Sequence, residues 1–420
     1  MLKKIALISG VDGVLKVIGF LLIPIYLAWM PKAEFGEFGY LYAAISMLPA
    51  ILTLGLYVPQ IKESSASNDL SYRRAVFATT FLSVAILLAT VLTLLAVSGL
   101  CNEIVSLVFG VHRNGGYKWL AFSVTLFFAA LNLVLYSHAL VFQRATIIVK
   151  YNALRFLLGN GVALAFIYIG LGYSDTSLDR LAGIALGEAF LFGITFIWLA
   201  RSYWEWRIDF SYLKKALKLG LPIIPGSIAA LITSLSDRYF INMSYDISYV
   251  AEYNLALQFL TPVQMIMIGA QTAWAPHVFS LKEDDEAHSQ SIDFLTKLSI
   301  AFLVLIPLLI LLVACAYKFS IIPSNYHDTI WLVPALAFGV IEIVLLQIPF
   351  NLFIRSGKTS WVAYISILGA LLTVLGGALI IPRFGYLGGA ISGGVINALL
   401  LILAWHWAKQ LNIEVKLSYR

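Results

Sequence analysis

A chain of 420 residues that is 60% hydrophobic and only 12% charged, with a mean hydropathy of +0.89, is not a soluble domain; there, about a quarter of residues are charged. A net charge of +6 does not point to nucleic acid, because the lysines and arginines are scattered among apolar segments and never form a patch. The two cysteines, Cys101 and Cys315, belong to different apolar segments and give neither a disulfide framework nor metal-ligand spacing.

Stretches of about 20 apolar residues bounded by polar clusters mark membrane crossings, and twelve occur in chain order. The first, Ile8 to Met30, follows Lys3 and Lys4 and lacks a small-residue cleavage site, so it is expected to be retained as a helix. Phe38 to Ile61, Ala75 to Leu100, Trp119 to Phe142, Ile147 to Leu171 and Leu178 to Ala200 complete a first group of six. A basic link leads to Leu217 to Ser236, which opens with Pro222 and Pro225. Val250 to Trp274, Phe294 to Tyr317, Ile330 to Ile354, Trp361 to Ile381 and Leu387 to Trp407 follow. The last carries Gly385, Gly388, Gly389, Gly393 and Gly394, small residues that let another backbone approach closely.

Most of the 28 basic residues fall in the loops of one side, including Arg73, Arg74, Arg144, Lys150, Arg201, Arg207, Lys214, Lys215 and Lys218. Positive loops stay in the cytoplasm, so both termini are expected there. The two halves also resemble each other. Arg144 and Arg201 bracket two crossings as Arg355 and Lys409 do, and Phe35-Gly36-Glu37-Phe38 parallels Val250-Ala251-Glu252-Tyr253, at offsets of about 211 to 215 residues. The expectation is an all-α integral membrane protein of two six-helix bundles related by an internal repeat. Residues 1–205 would form the first bundle and 206–420 the second.

Gly220-Leu221-Pro222, Pro225, an apolar run and then Asp237-Arg238-Tyr239-Phe240-Ile241 closely resemble the opening of the second half of the bacterial polysaccharide transporter family. That family includes the O-antigen flippases of the Wzx type, within the multidrug/oligosaccharidyl-lipid/polysaccharide exporter superfamily. Gly36-Glu37-Phe38-Gly39, Ala251-Glu252-Tyr253-Asn254, Arg355-Ser356-Gly357-Lys358 and the run Ile380 to Gly388 extend the resemblance over most of the chain. It implies a multi-pass protein of the bacterial inner membrane that moves undecaprenyl-pyrophosphate-linked oligosaccharide between leaflets. Membrane lipids, a polysaccharide polymerase and chain-length proteins are the partners it suggests.

Charges inside a membrane cost at least about 2.5 to 3.5 kcal/mol each on insertion scales, so each needs a partner, water or a function. Asp12 and Lys16 are four residues apart on one helix face, with Lys16 near the midplane. They are either a neutralised packing pair or a cation kept charged for a phosphate. Arg155 and Lys297, near the ends of helices five and nine, either snorkel to the headgroups or join Lys16 in a cationic funnel. Arg238, beside Asp237, is either an interfacial ion pair or a substrate contact. Gln258 belongs to a polar series on helix eight with Asn254, Thr261, Gln264 and Gln271. Glu188 and Glu342 have no basic residue one turn away on their own helices and are candidates for ion coupling with Asp12, or else hydrogen-bonded structural carboxyls.

No phosphate-binding glycine loop, metal-ligand spacing or nucleophile elbow occurs in the sequence. No cofactor, metal or catalytic residue is therefore expected, and coupling to a proton or sodium gradient is left open. The rival functions are a multidrug cation exporter of the same superfamily and a membrane-embedded polysaccharide polymerase or glycosyltransferase. The first would favour acidic cavity residues, whereas three bases lie at depth here. The second needs a sizeable external loop, and the longest runs only from Cys101 to Lys118.

Overall fold

Prolines, glycines and short polar caps divide the apolar sequence into helices. A computed structural model describes residues 2–67, 69–99, 115–141, 145–170, 175–203, 207–281 and 284–418, with no strand among them. Helix α1 (Leu2–Leu21) breaks at Leu22 and resumes as α2 (Ile23–Trp29), where Pro24 occupies the first turn and cannot donate to the ladder. Helices α3 (Lys32–Leu52) and α4 (Tyr57–Ala66) are separated by a turn in which Leu54 and Gly55 have φ of 51° and 66°. Helix α5 (Leu70–Ser98) starts on Asp69, whose Oδ1 accepts from Ser71 N at 2.9 Å, and stops at Gly99 in the left-handed region. Helices α6 (Gly115–Val141), α7 (Ala145–Gly170) and α8 (Thr176–Tyr203) follow.

The seventh crossing begins earlier than the hydropathy suggested. Asp209 caps α9 (Phe210–Gly220), accepting from Ser211 N at 2.9 Å and Tyr212 N at 3.0 Å. A 3₁₀ turn at Leu221–Ile223, built around Pro222, joins it to α10 (Ile224–Ser244). Then come α11 (Ile247–Ser280), α12 (Asp284–Lys318), α13 (Thr329–Leu345), α14 (Gln347–Arg355) and α15 (Thr359–Ser418). Gly385, with φ 77° and ψ 178°, interrupts α15 between the two crossings expected there; a side chain would be strained at that φ.

Among the described residues, nine helical stretches are long and apolar enough to cross a membrane. One of them, Ser360–Gln410, has 51 residues; at 1.5 Å per residue it measures about 76 Å, more than twice the hydrocarbon thickness. Turned at Gly385, it crosses twice. A shorter apolar helix covers Gly13–Trp29. The protein is all-α and integral to the membrane.

The chain divides into two compact units, Met1–Leu231 and Ile232–Arg420. In the first, Val76, Phe77, Val84 and Leu88 of α5 pack with Val134 and Leu135 of α6, and Tyr212 and Ala216 of α9 close the same core. Helices α7 and α8 are held in near backbone contact by glycine: a Cβ on Gly187 would lie 2.7 Å from the Leu158 carbonyl oxygen. That proximity sets the geometry of the charges described below. In the second unit, Phe353, Ile365, Leu400 and Ala404 form the buried centre of one cluster.

Candidate functional site: charged side chains at membrane depth

In the first unit, Lys16 lies on α1 about 21 Å from Leu2 and about 20 Å from Trp29 along the rise of the helix. Its side chain is exposed. The Asp12 side chain lies outside the described residues. Helix α1 packs on α7, with a Cβ at Gly19 falling 3.4 Å from the Phe156 ring. Lys16 is three residues from Gly19 and Arg155 is next to Phe156, so the two bases lie within about one helical turn of the same depth.

Arg155 is ten residues, or about 15 Å, inside α7, deeper than the helix end at which the sequence placed it. Its Nε and Nη2 each lie 2.9 Å from Glu188 Oε1 on α8. Asn132 of α6 donates to the other oxygen, Oε2, at 2.6 Å, and also to the Glu188 carbonyl at 2.9 Å. Tyr151 in turn donates to the Asn132 carbonyl at 3.0 Å. Glu188, 9% exposed, therefore has a basic partner after all, supplied by a neighbouring helix. The Arg155 side chain remains 50% exposed. A guanidinium has five N–H donors, and the Glu188 contacts occupy two of them, leaving donors that can meet an anionic oxygen.

Where α2 and α3 meet α7 and α8, Tyr26 donates to Asn160 at 3.2 Å, and the Arg180 guanidinium carbon stands 3.5 Å from the centre of the Tyr26 ring and 3.9 Å from that of Phe38. Such stacking suits a weakly hydrated guanidinium. At the ends of α3, α6 and α8, Lys118 Nζ, 2% exposed, lies 2.6 Å from Glu37 Oε1 and 2.6 Å from Asp175 Oδ2. Ser177 donates to both acids at 2.9 Å, while Glu34 receives Thr176 N at 2.7 Å. Asp175 precedes α8 and lies outside the crossing. Burial opposes its charge, but the Lys118 ammonium and the Ser177 and Leu178 hydrogen bonds outweigh that and hold its pKa below the ordinary carboxylate value.

Charges in the second unit are mostly consumed locally. Arg238 donates from Nε to Asn254 Oδ1 at 2.7 Å and from Nη1 to the Ser234 carbonyl, and Tyr253 donates to Asp237. Gln258 is half-buried on α11, one turn beyond Asn254. Lys297 is 72% exposed and lies 2.6 Å from Asp293, one turn earlier on α12. That ties it to its own helix. Glu342 of α13 is 7% exposed, and its Oε2 has no hydrogen-bond partner among the described residues. One turn before it, Gly339 meets α15 so closely that a Cβ would be 3.2 Å from Gly394 N.

For a cation, Glu252, His327 and Asp328 bring one ligand atom each within 4.8 Å of one another. His327 Nε2 lies 3.1 Å from Asp328, and the Tyr386 hydroxyl donates to the same carboxylate. These groups compensate one another, and we assign no ion to them. Cys315 is a free thiol; Cys101 lies outside the described residues.

The sequence reading missed Arg180, Lys118 and Asn132. The two bases flank crossings and read as loop charges, and their partners come from other helices. Asn132, a lone amide within an apolar run, was the one visible signal.

Nine apolar helical stretches of crossing length among the described residues define a multi-pass membrane protein. The chain belongs to the polysaccharide biosynthesis protein family, whose profile matches residues 1–282. None of the curated proteins matches it significantly. Among solved structures it is similar to the lipid II flippase MurJ in an inward closed conformation, with 12% identity over 96% of this chain and 87% of that one and a TM-score of 0.79. It is also similar to an inward-facing multidrug resistance MATE family transporter of the MOP superfamily, with 15% identity over 96% and 99% of the two chains and a TM-score of 0.71. A MOP superfamily transporter from Pyrococcus furiosus gives 15% identity, 98% and 96% coverage and a TM-score of 0.66. At these identities the likeness establishes the fold alone.

Proposed function

We propose that the chain is a flippase that carries undecaprenyl-pyrophosphate-linked repeat units of O-antigen or a related polysaccharide from the cytoplasmic to the periplasmic leaflet. A sugar head and a diphosphate cannot cross about 30 Å of hydrocarbon without a polar path. The observation that carries the reading is the pair of accessible cations, Lys16 and Arg155, at matching depth on packed neighbouring helices. Lys16 acts as a point charge and Arg155 as a planar fork whose orientation Glu188 and Asn132 set. A diphosphate bridging the two would be desolvated against fixed positive groups, while the polyprenyl tail stays in the bilayer.

Family membership and the likeness to a named flippase support the same reading. Alternation between inward and outward access would complete the transfer. Glu342, buried with an unpartnered oxygen, is the acidic group best suited to couple a proton or sodium gradient.

Cells lacking the protein are expected to accumulate lipid-linked repeat units on the cytoplasmic leaflet, measured by a leaflet-resolved labelling assay. Units reaching the outer leaflet unpolymerised would instead support the polymerase reading. Lys16→Ala is expected to lower translocation at unchanged membrane levels.

A further inference from the structure

Helix α9 shows two contrasting faces. Tyr212, Ala216 and Gly220, each four residues apart, are buried. Three contacts fix that register on α4 and α5. Asp209 N donates to Thr79 Oγ1 at 2.8 Å, the Tyr212 hydroxyl lies 3.1 Å from Thr80 Oγ1, and the Gly220 backbone meets the Leu54–Gly55 turn so closely that a Cβ on Gly220 would be 2.6 Å from the Leu54 carbonyl oxygen. At about 100° per residue, Lys214, Lys218 and Lys215 occupy the opposite arc, and all three are exposed. Phe210, Leu219 and Leu221 flank them as exposed apolar side chains. Arg207, just before the cap, and Lys62, on α4, are exposed as well.

None of these five bases has an acid within ion-pair distance among the described residues. The acids near them in sequence, Asp69, Asp209 and Glu63, keep their charge but spend hydrogen-bonding capacity elsewhere, accepting from Ser71 N, Ser211 N and the Tyr72 hydroxyl, each at 2.9 Å. The ion pairs of the described chain involve none of the five. Depth points the same way. Phe210–Ser244 is a 35-residue stretch, about 52 Å long against about 30 Å of hydrocarbon and 40 to 45 Å including headgroups. One end must extend into the headgroup layer, and the lysines are all at the α9 end. An amphipathic helix with lysines between apolar flanks is built for a charged lipid surface.

We propose that α9, with Arg207 and Lys62, is a binding surface for the acidic headgroups of anionic phospholipids, which it concentrates around this end of the first unit. A basic residue near an anionic surface is worth about fivefold in lipid preference at low salt. The full-length protein, carrying Cys101→Ser, Cys315→Ser and Ser211→Cys, would be labelled with a fluorophore at position 211 and reconstituted in phosphatidylcholine vesicles. A fixed minor fraction of either brominated phosphatidylglycerol or brominated phosphatidylcholine with the same acyl chains would serve as quencher.

The phosphatidylglycerol quencher is expected to act several-fold more strongly. The preference should shrink in about 1 M salt, where the Debye length falls to about 3 Å from about 10 Å at 0.1 M. It should vanish in Lys214→Gln/Lys215→Gln/Lys218→Gln and survive in the matching triple arginine variant. Equal quenching by the two lipids in the labelled parent would overturn the proposal, as would a preference undiminished in the glutamine variant. The readout requires no transport, so its outcome is independent of the substrate.

Discussion

Replacing Glu188 with glutamine probes the centre of the first unit. The substitution keeps an acceptor for Asn132 but removes the countercharge 2.9 Å from Arg155. Breaking a fully buried ion pair from one side costs about 3 to 5 kcal/mol, and an exposed pair is worth about 1 kcal/mol or less. With Glu188 9% exposed and Arg155 50% exposed, the cost should fall between, at about 2 kcal/mol. Arg155→Gln should cost a similar amount, and Arg155→Gln/Glu188→Gln much less than the sum of the two. Chemical denaturation in bicelles, followed by tryptophan fluorescence across the double-mutant cycle, should give a coupling energy of at least about 1 kcal/mol. Additivity within about 0.5 kcal/mol would refute the pairing.

Other outcomes follow from the same geometry. Gly187→Ala inserts a Cβ where the Leu158 carbonyl stands at 2.7 Å; it should destabilise by about 1 to 3 kcal/mol through strain between α7 and α8, seen as a lower thermal midpoint. The depressed pKa of Asp175 contributes stability that is fully present above the ordinary carboxylate pKa of about 3.9 and lost as pH falls through the lower folded value. Thermal midpoints should thus decline on acidification below about pH 4, and Asp175→Asn should flatten that decline while lowering stability at neutral pH. Lys297→Gln removes only an exposed pair one turn apart, so its stability should change by about 0.5 kcal/mol or less.

Much of the architecture was legible because hydrocarbon thickness dictates segment length. The break between the last two crossings was readable from the gap between the apolar runs ending at Ile381 and starting at Leu387, and the structure places the turn at Gly385, where φ is 77°. Pro222 marked the break between α9 and α10. The start of α9 was not readable, because its amphipathic pattern and Asp209 cap fall below the hydropathy of a crossing.

For the candidate site, the depth of Lys16 followed from counting residues. The Arg155–Glu188 pair did not, since its members are 33 residues apart on separate helices and a search one turn either way sees only its own helix. Lys297 shows the converse: its Asp293 partner is four residues away, within reach of sequence reading, and it was passed over while the lysine was weighed by depth alone. The polar series on α11 was visible as a pattern, but only coordinates show Asn254 accepting from Arg238.

The central claim is that Lys16 and Arg155 together recognise a diphosphate. Its most direct test is the affinity of the purified protein for polyprenyl diphosphate-linked saccharide against the monophosphate analogue, read by native mass spectrometry. The account predicts tighter binding of the diphosphate by about tenfold or more, with that preference lost in Lys16→Ala and weakened in Arg155→Lys, which keeps the charge but not the fork. Equal affinity for the two lipids, or an unchanged preference in Lys16→Ala, would contradict it.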